Sequence, residues 1–548
     1  MIEFKNYSVK INEDSFEIYS SGEQWFTLPV RSAVDAKGAL DRDDLTYLKK
    51  EEVALNDGCR VIWHCRSSLY EYKDYVVDFT PSGFHYRIEL QRIGDPVRLE
   101  KIRYFNHGEG VSYEAAGYFQ PLMDLMSRGD YTHNLKMIME PGEIKLCHLA
   151  PPEYMYPFYM NGCSGWFGLG LTAEPGRYNF DRFQYHPHKN HFHLELPLFG
   201  KTEVRSGEKW TSFGILGLPG SDAFDILRKY SEWHFSAGGC KRRDYSNIPE
   251  WWKGPIFCGW GEQGDKARML GLPSTFHAAT QKIYTEMSDQ LDQWGLAPSF
   301  MIIDDKWQKT YGGLTPDPEK WQNMRAFTDR EHAKGRHVLL WVKMWTPEGL
   351  PSNACVHRNG CECSVDPTSP EYQKHLRKTI HTLLSSEEGC CNCDGFKLDF
   401  IGCVPDGESL TTAEKNVYGV ELLKRLASEF YYGAKEAKPD ALINASYGHP
   451  YFAEVCDQAR LHDYIADMRN AVEMMEYRKT LFDCAMPGIS IDTDAGGTGS
   501  RRDFLRYITN QPKLGAPDLY YLTRLTKEPF GQDVIDRIRS VWNEYKAR

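Results

Sequence analysis

The sequence predicts an α/β protein: a (β/α)8 TIM barrel preceded by an N-terminal β-sandwich domain. Three observations predict it. Residues 1–245 carry short alternating runs such as Phe16-Glu17-Ile18-Tyr19, Val61-Ile62-Trp63-His64 and Lys101-Ile102-Arg103-Tyr104, punctuated by Gly, Asp and Pro; period two is the pattern of half-buried antiparallel strands. Over residues 246–548 apolar runs alternate with amphipathic helical stretches, the signature of repeated βα units. Eight such runs can be counted, ending near Trp260, Asp305, Trp345, Phe400, Tyr447, Tyr464, Asp494 and Leu522, and eight is the number a closed parallel barrel requires. At 548 residues the chain has room for both parts.

The sandwich strands are expected to continue through Trp166 to Leu171, Pro175-Gly176-Arg177-Tyr178-Asn179-Phe180 and His191-Phe192-His193-Leu194-Glu195-Leu196. His191 and His193 share a strand face, which serves either a metal or, more commonly, an ordinary hydrogen-bonded surface. A helix at Asp222 to Tyr230 leads through Gly238-Gly239 and Pro249 into the barrel. Within the barrel, the helical stretch Thr328 to Lys334 stops at Gly335, where a left-handed cap is favoured, before the strand His337 to Trp341. A last helix, Val534 to Tyr545, nearly completes the chain.

Composition narrows the partners. A net charge of -11 and a pI near 5.9 leave no basic footprint, which argues against nucleic acid and anionic membranes. No run of about 18 apolar residues could cross a bilayer, and Met1-Ile2-Glu3-Phe4-Lys5-Asn6 lacks the basic start and apolar core of a signal peptide. A cytoplasmic protein is expected, unless a leader was trimmed. Aromatic residues at 13% favour carbohydrate weakly, since rings stack on sugar faces as well as filling cores. The 15 cysteines are an odd number, so reduced thiols are the default. Six crowd together, Cys355, Cys361, Cys363, Cys390, Cys391 and Cys393, without the paired spacing of a zinc ribbon. No metal and no cofactor is expected, and a homo-oligomer stays open.

The chemistry is read from acidic strand ends. Met301-Ile302-Ile303-Asp304-Asp305-Lys306-Trp307, Gly395-Phe396-Lys397-Leu398-Asp399-Phe400 and Arg460-Leu461-His462-Asp463-Tyr464 each turn from apolar to acidic, at the end of a barrel strand where active sites sit. Retaining cleavage of a glycosidic bond needs a nucleophilic carboxylate and a proton donor about 5 Å apart. Asp399 fits the first role and Asp463 the second. Lys397 lies two residues before Asp399, on the same side of the strand, where its charge favours the ionised carboxylate. Asp304 and Asp305 offer acceptors for sugar hydroxyls if the strand ends there. Asp467, Asp492 and Asp494 are rivals to Asp463.

Together these motifs resemble those of glycoside hydrolase family 36, the melibiase-type α-galactosidases and raffinose-synthase-like proteins. Asp304-Asp305-Lys306-Trp307 is similar to its Asp-Asp-Gly-Trp motif, Lys397-Leu398-Asp399 to its Lys-x-Asp nucleophile motif and Arg460-Leu461-His462-Asp463 to its Arg-x-Ser-Asp acid/base motif. The resemblance implies an N-terminal β-supersandwich joined to a catalytic barrel and a retaining α-galactosidase-like hydrolase acting on a terminal α-linked sugar. It implies Asp399 as nucleophile and Asp463 as acid/base, with Asp304, Asp305 and Lys397 on sugar hydroxyls, Arg460 beside them, and Trp260 and Trp341 as pocket walls. Three departures stand out. Lys306 replaces Gly, His462 replaces Ser, and the third strand reads Trp341-Val342-Lys343-Met344-Trp345 in place of an acidic, proline-containing segment. A cation at Lys343 would suit an anionic or differently substituted sugar, or be a solvated loop lysine. The family's C-terminal β domain is not evident. A transglycosylase, a non-catalytic carbohydrate-binding barrel and, more distantly, a metal-dependent hydrolase are the alternatives.

Overall fold

The computed structural model describes residues 1–20, 22–41, 46–92, 94–106, 111–113, 115–118, 152–160, 165–188, 191–461, 471–494, 500–525 and 528–548. Asp463 and its rival Asp467 lie outside the described residues.

The C-terminal portion is the expected barrel. Its strands are β1 (Ile256–Cys258), β2 (Phe300–Ile303), β3 (His337–Lys343), β4 (Gly395–Asp399), β5 (Leu442–Ala445), β6 (Gln458–Arg460), β7 (Ser490–Asp492) and β8 (Asp518–Leu519). Neighbours pair in parallel around the sheet, β8 beside β1. A parallel bridge from Asp492 to Ala516 closes β7 toward β8, with Ala516 N donating to Ile491 O at 2.8 Å. The strands are short and buried on both faces, which is why they read in sequence as continuous apolar runs.

Most connections are helices with recognisable ends. Thr280, Asn323, Ser369 and Ser500 cap the helices Gln281–Gln293, Met324–Ala333, Pro370–Leu384 and Arg501–Leu514 by accepting from first-turn N–H groups. Gly335 takes the left-handed conformation (φ 74°) that ends Met324–Ala333. After β5 the expected helix is only a 3-10 turn, Pro450–Val455.

Two antiparallel sheets, each with nine strands among the described residues, precede the barrel. They pack face to face through aromatics: Phe16 of one sheet meets Phe79 and Phe84 of the other at 5.3 and 5.2 Å between ring centroids. Strand His191–Val204 shows the predicted alternation of buried and part-exposed residues. Its His193 stacks on His186 of the paired strand Gln184–His188, with centroids 4.9 Å apart, and burial, then His186, hold the His193 imidazole down at about 4.

One expected strand is absent. Pro175 to Phe180 is irregular, because Gly176 turns the chain at φ 88° and the segment spends its backbone on the barrel. Tyr178 O and Phe180 O accept from Glu421 N and Val420 N, each at 2.9 Å, satisfying the otherwise orphaned N–H groups that open helix Gly419–Ala437. Gly419 permits the approach: a Cβ there would lie 1.9 Å from Phe180 O. Ion pairs Arg182–Asp406 and Lys37–Glu408 add to the same seam. The sandwich therefore braces residues 401–418, the loop that leaves β4. Helix Ala223–Ser236, longer than expected and capped by Asp222, packs Ile226, Leu227 and Tyr230 with Leu481 of helix Ala471–Ala485, a second contact between the two portions.

Candidate active site

The C-terminal ends of β1 to β4, β6 and β8 bring their polar side chains to one place. On β4, Lys397 and Asp399 point into the barrel, while the intervening Leu398 is fully buried on the other side. Asp399 accepts three hydrogen bonds: Trp341 Nε1 donates to Oδ2 at 3.0 Å, and Arg460 Nη2 and Phe400 N donate to Oδ1 at 2.9 and 2.8 Å. Phe400 can fold back in this way because it adopts φ 59°, a left-handed conformation that costs about 1 kcal/mol or more outside glycine. Burial alone would raise the Asp399 carboxyl. The Arg460 guanidinium, then Lys397 and the Trp341 N–H outweigh it and hold Asp399 below the usual carboxylate range.

Arg460 at the end of β6 is itself buried, and its fork spans two acids: the second nitrogen, Nη1, donates to Asp494 Oδ2 at 2.9 Å. Two charge-assisted bonds of this kind fix the guanidinium in one orientation. Asp492 lies behind, accepting from Asn444 Nδ2 at 2.8 Å and from Asp494 N at 2.9 Å. Burial and the neighbouring Asp494 push Asp492 upward. Asp518 on β8 is fully buried with no hydrogen bond to either carboxyl oxygen among the described residues, and burial, Asp492 and Asp494 raise it well above the ordinary range.

Lys397 reaches across the barrel rather than to Asp399. It donates to Asp304 Oδ2 at 2.9 Å, Tyr520 Oη at 3.1 Å and Cys258 Sγ at 3.4 Å. Burial would lower this lysine, but Asp304 dominates and raises it well above its usual value. The Cys258 thiol donates to the same Asp304 oxygen at 3.1 Å. Asp304 Oδ1 accepts from Asp305 N at 2.8 Å, so the Asp304–Lys397 pair forms a saturated floor.

Asp305 is turned outward because β2 ends at Ile303. Its Oδ1 accepts from Tyr311 Oη at 2.8 Å, and its Oδ2 has no hydrogen bond among the described residues. Burial, with Asp304 and Asp399 adding and Tyr311 and the Lys343 ammonium opposing, pushes Asp305 up to about 6. Tyr311, Trp341 and Phe400 form an aromatic wall, with Trp341 edge-on to Tyr311 at 6.2 Å and to Phe400 at 6.1 Å. Lys343 lies against Tyr311 and Phe400, 5.0 and 4.9 Å from their centroids.

Asp399, Asp304, Asp305, Lys397, Trp341, Arg460 and Lys343 thus gather around one barrel mouth. Trp260 begins helix Trp260–Leu270 and leans on Phe276 at 6.1 Å, outside this hydrogen-bond network. Sequence reading missed Cys258, Tyr311 and Tyr520. Cys258 and Tyr520 stand at the ends of β1 and β8, where strand-end position alone would have nominated them; Tyr311 had no such signal.

The described cysteines are all free thiols. His332, His337 and Asp394 cluster at the opposite end of the barrel, and their acid is already occupied: Asp394 accepts from His332 at 2.7 Å, Val338 N at 2.8 Å and Lys438 at 2.9 Å. This pins the starts of β3 and β4. No helix among the described residues is long and apolar enough to cross a membrane.

No protein-family model matches the chain, and no curated protein matches it. Solved structures do match. An α-N-acetylgalactosaminidase from Bifidobacterium bifidum, in complex with GalNAc, superposes with a TM-score of 0.64 at 11% identity, covering 100% of this chain and 92% of that one. A GH31 family sulfoquinovosidase from E. rectale gives 0.58 at 11% identity, covering 98% and 82%, and an α-galactosidase from Lactobacillus brevis 0.51 at 12%, covering 98% and 78%. At such identity the likeness establishes architecture: the chain has the β-sandwich and (β/α)8-barrel fold that these solved glycoside hydrolases share.

Proposed function

We propose that this protein is a retaining α-glycosidase, α-galactosidase-like, that releases a terminal α-linked sugar through a covalent glycosyl-aspartate on Asp399. One observation carries the reading: Asp399 is buried yet held ionised, at the end of β4, with its two oxygens in different states. Among the described residues Oδ1 takes two donors while Oδ2 takes only the Trp341 N–H, so Oδ2 keeps a lone pair for the anomeric carbon. The fold shared with glycoside hydrolases supports the same reading.

In the first step Asp399 Oδ2 forms a bond to the anomeric carbon as the glycosidic C–O bond breaks, and an acid protonates the departing oxygen. Asp463 takes that role by its place in the Arg460-Leu461-His462-Asp463 motif. In the second step Asp463 accepts a proton from water, whose oxygen displaces Asp399 and restores the original configuration. Asp305 Oδ2 serves as acceptor for sugar hydroxyls, with the Asp304–Lys397 floor beneath it and Trp341 as a wall.

The test is a series of 4-nitrophenyl α- and β-glycosides of galactose, N-acetylgalactosamine, glucose and their acidic analogues, with the first-formed anomer read by NMR. Cleavage of an α-glycoside with the α-anomer appearing first is expected. Cleavage of β-glycosides only, or a β-anomer formed first from an α-glycoside, would overturn the reading.

A further inference from the structure

Among the described residues at the mouth, the cations Lys397, Arg460 and Lys306 are each paired with an acid in place. Lys397 is paired with Asp304 at 2.9 Å, Arg460 with Asp399 and Asp494 at 2.9 Å each, and Lys306 with Glu348 at 3.2 Å. Lys343 is the exception. It makes no hydrogen bond or ion pair with any described residue, although it is the last residue of β3 and stands in register with Asp399 on β4.

Its surroundings are those of a recognition group rather than a solvated surface lysine. The ammonium is half-buried between the Tyr311 and Phe400 rings, and the Lys306 ammonium lies over the same Tyr311 ring at 4.0 Å. Tyr311 donates to Asp305 and is edge-on to Trp341, which donates to Asp399. Lys343 is therefore one aromatic ring away from Asp305 and two from Asp399 along this path. Contact with a ring face returns only about 0.5–1 kcal/mol to an ammonium, and although the charge is felt by Asp305 and Glu348, no acid among the described residues pairs with it directly. Asp399 does not need it, having Arg460 and two N–H donors of its own. A site for hydroxyls alone would be served by a neutral side chain with less desolvation.

We propose that Lys343 is a specificity-determining residue that takes an anionic substituent, a carboxylate or a sulfonate, on the terminal sugar. This rests on the glycosidase reading and narrows its substrate class. A fixed cation beside the anomeric-carbon site would favour the charged sugar in both binding and turnover, because the same contact persists through the reaction.

The experiment is calorimetric titration of the full chain with D-galacturonate, D-glucuronate and 6-sulfo-quinovose, each against its neutral hexose, for wild type, Lys343→Met and Lys343→Arg. Met keeps the apolar stem between the rings, and Arg keeps the charge. At least one anion is expected to bind wild type about tenfold to a hundredfold more tightly than its neutral partner. Lys343→Met should bring that ratio close to one, and Lys343→Arg should retain it. The uronate and sulfonate arms separate a planar from a tetrahedral anion. Equal or weaker binding of all three anions by wild type, or an unchanged ratio in Lys343→Met, would overturn the proposal. The two readings fail separately: Lys343-dependent anion binding without cleavage of any α-glycoside sinks the hydrolase, whereas turnover of neutral α-glycosides with anions excluded sinks the role of Lys343.

Discussion

Two groups of acids share the barrel interior and differ in everything but residue type. Asp304, Asp305 and Asp399, on β2 and β4, each face a donor or a cation, and Asp399 is held ionised despite burial. Asp492 and Asp518, on β7 and β8, are more deeply buried, and both are pushed upward by burial and by neighbouring carboxyls, Asp494 beside Asp492, and Asp492 and Asp494 beside Asp518. Arg460 stands between the groups, one nitrogen on Asp399 and one on Asp494. A carboxylate at a strand end therefore acquires its chemistry from the cation it meets: Asp304 and Asp399 each pair with one, whereas Asp492 and Asp518 form no ion pair among the described residues.

Removing Arg460 should break the comparison most severely. Arg460→Met would leave Asp399 and Asp494 buried without their shared partner and should destabilise the fold by about 3–5 kcal/mol, measured by urea unfolding at pH 7. The depressed Asp399 contributes stability that is present above its unfolded value near pH 4 and is lost as pH falls through its lower folded value. The gap between wild type and variant should accordingly narrow in acid; a gap that is constant with pH would contradict the assignment.

Asp305 sharpens the contrast within the first group. Raised to about 6, it should gain its charge as pH rises through that value, so sugar affinity in wild type should climb between pH 5 and 7. Asp305→Asn should bind about tenfold more weakly at pH 7 and show a flat profile over that range. A variant that keeps the slope would assign it to another group.

The smallest effect is expected at Asp518. A carboxyl raised in the folded state costs stability above its unfolded value near pH 4, and that cost grows as pH rises toward the folded value. Asp518→Asn should therefore stabilise by roughly 1 kcal/mol at pH 7 and by nothing near pH 4, read from melting temperature against pH. Destabilisation at neutral pH would mean that the group is ionised and used.

Much of this was legible in the chain. Short parallel strands buried on both faces leave apolar runs with polar ends, so all eight strands and the acids at the ends of β2 and β4 could be located from residue pattern. What pattern could not supply was partnership across the barrel. The charge of Lys397 does favour ionised Asp399, as expected from its place two residues away, but its hydrogen bonds go to Asp304 and Tyr520, 93 and 123 positions distant. Trp341 was expected as a wall and is also a hydrogen-bond donor to Asp399. Pro175 to Phe180 alternates like a strand, but its carbonyls cap a barrel helix, a tertiary use that local sequence does not encode.

Azide rescue of Asp399→Ala tests the central claim most directly. On an activated α-glycoside that wild type cleaves, the variant should lose turnover by about a thousandfold or more. Azide should restore part of it and yield the β-glycosyl azide, since the small anion attacks from the face that Asp399 occupied. Near wild-type turnover in Asp399→Ala, or an α-glycosyl azide as product, would contradict Asp399 as the nucleophile.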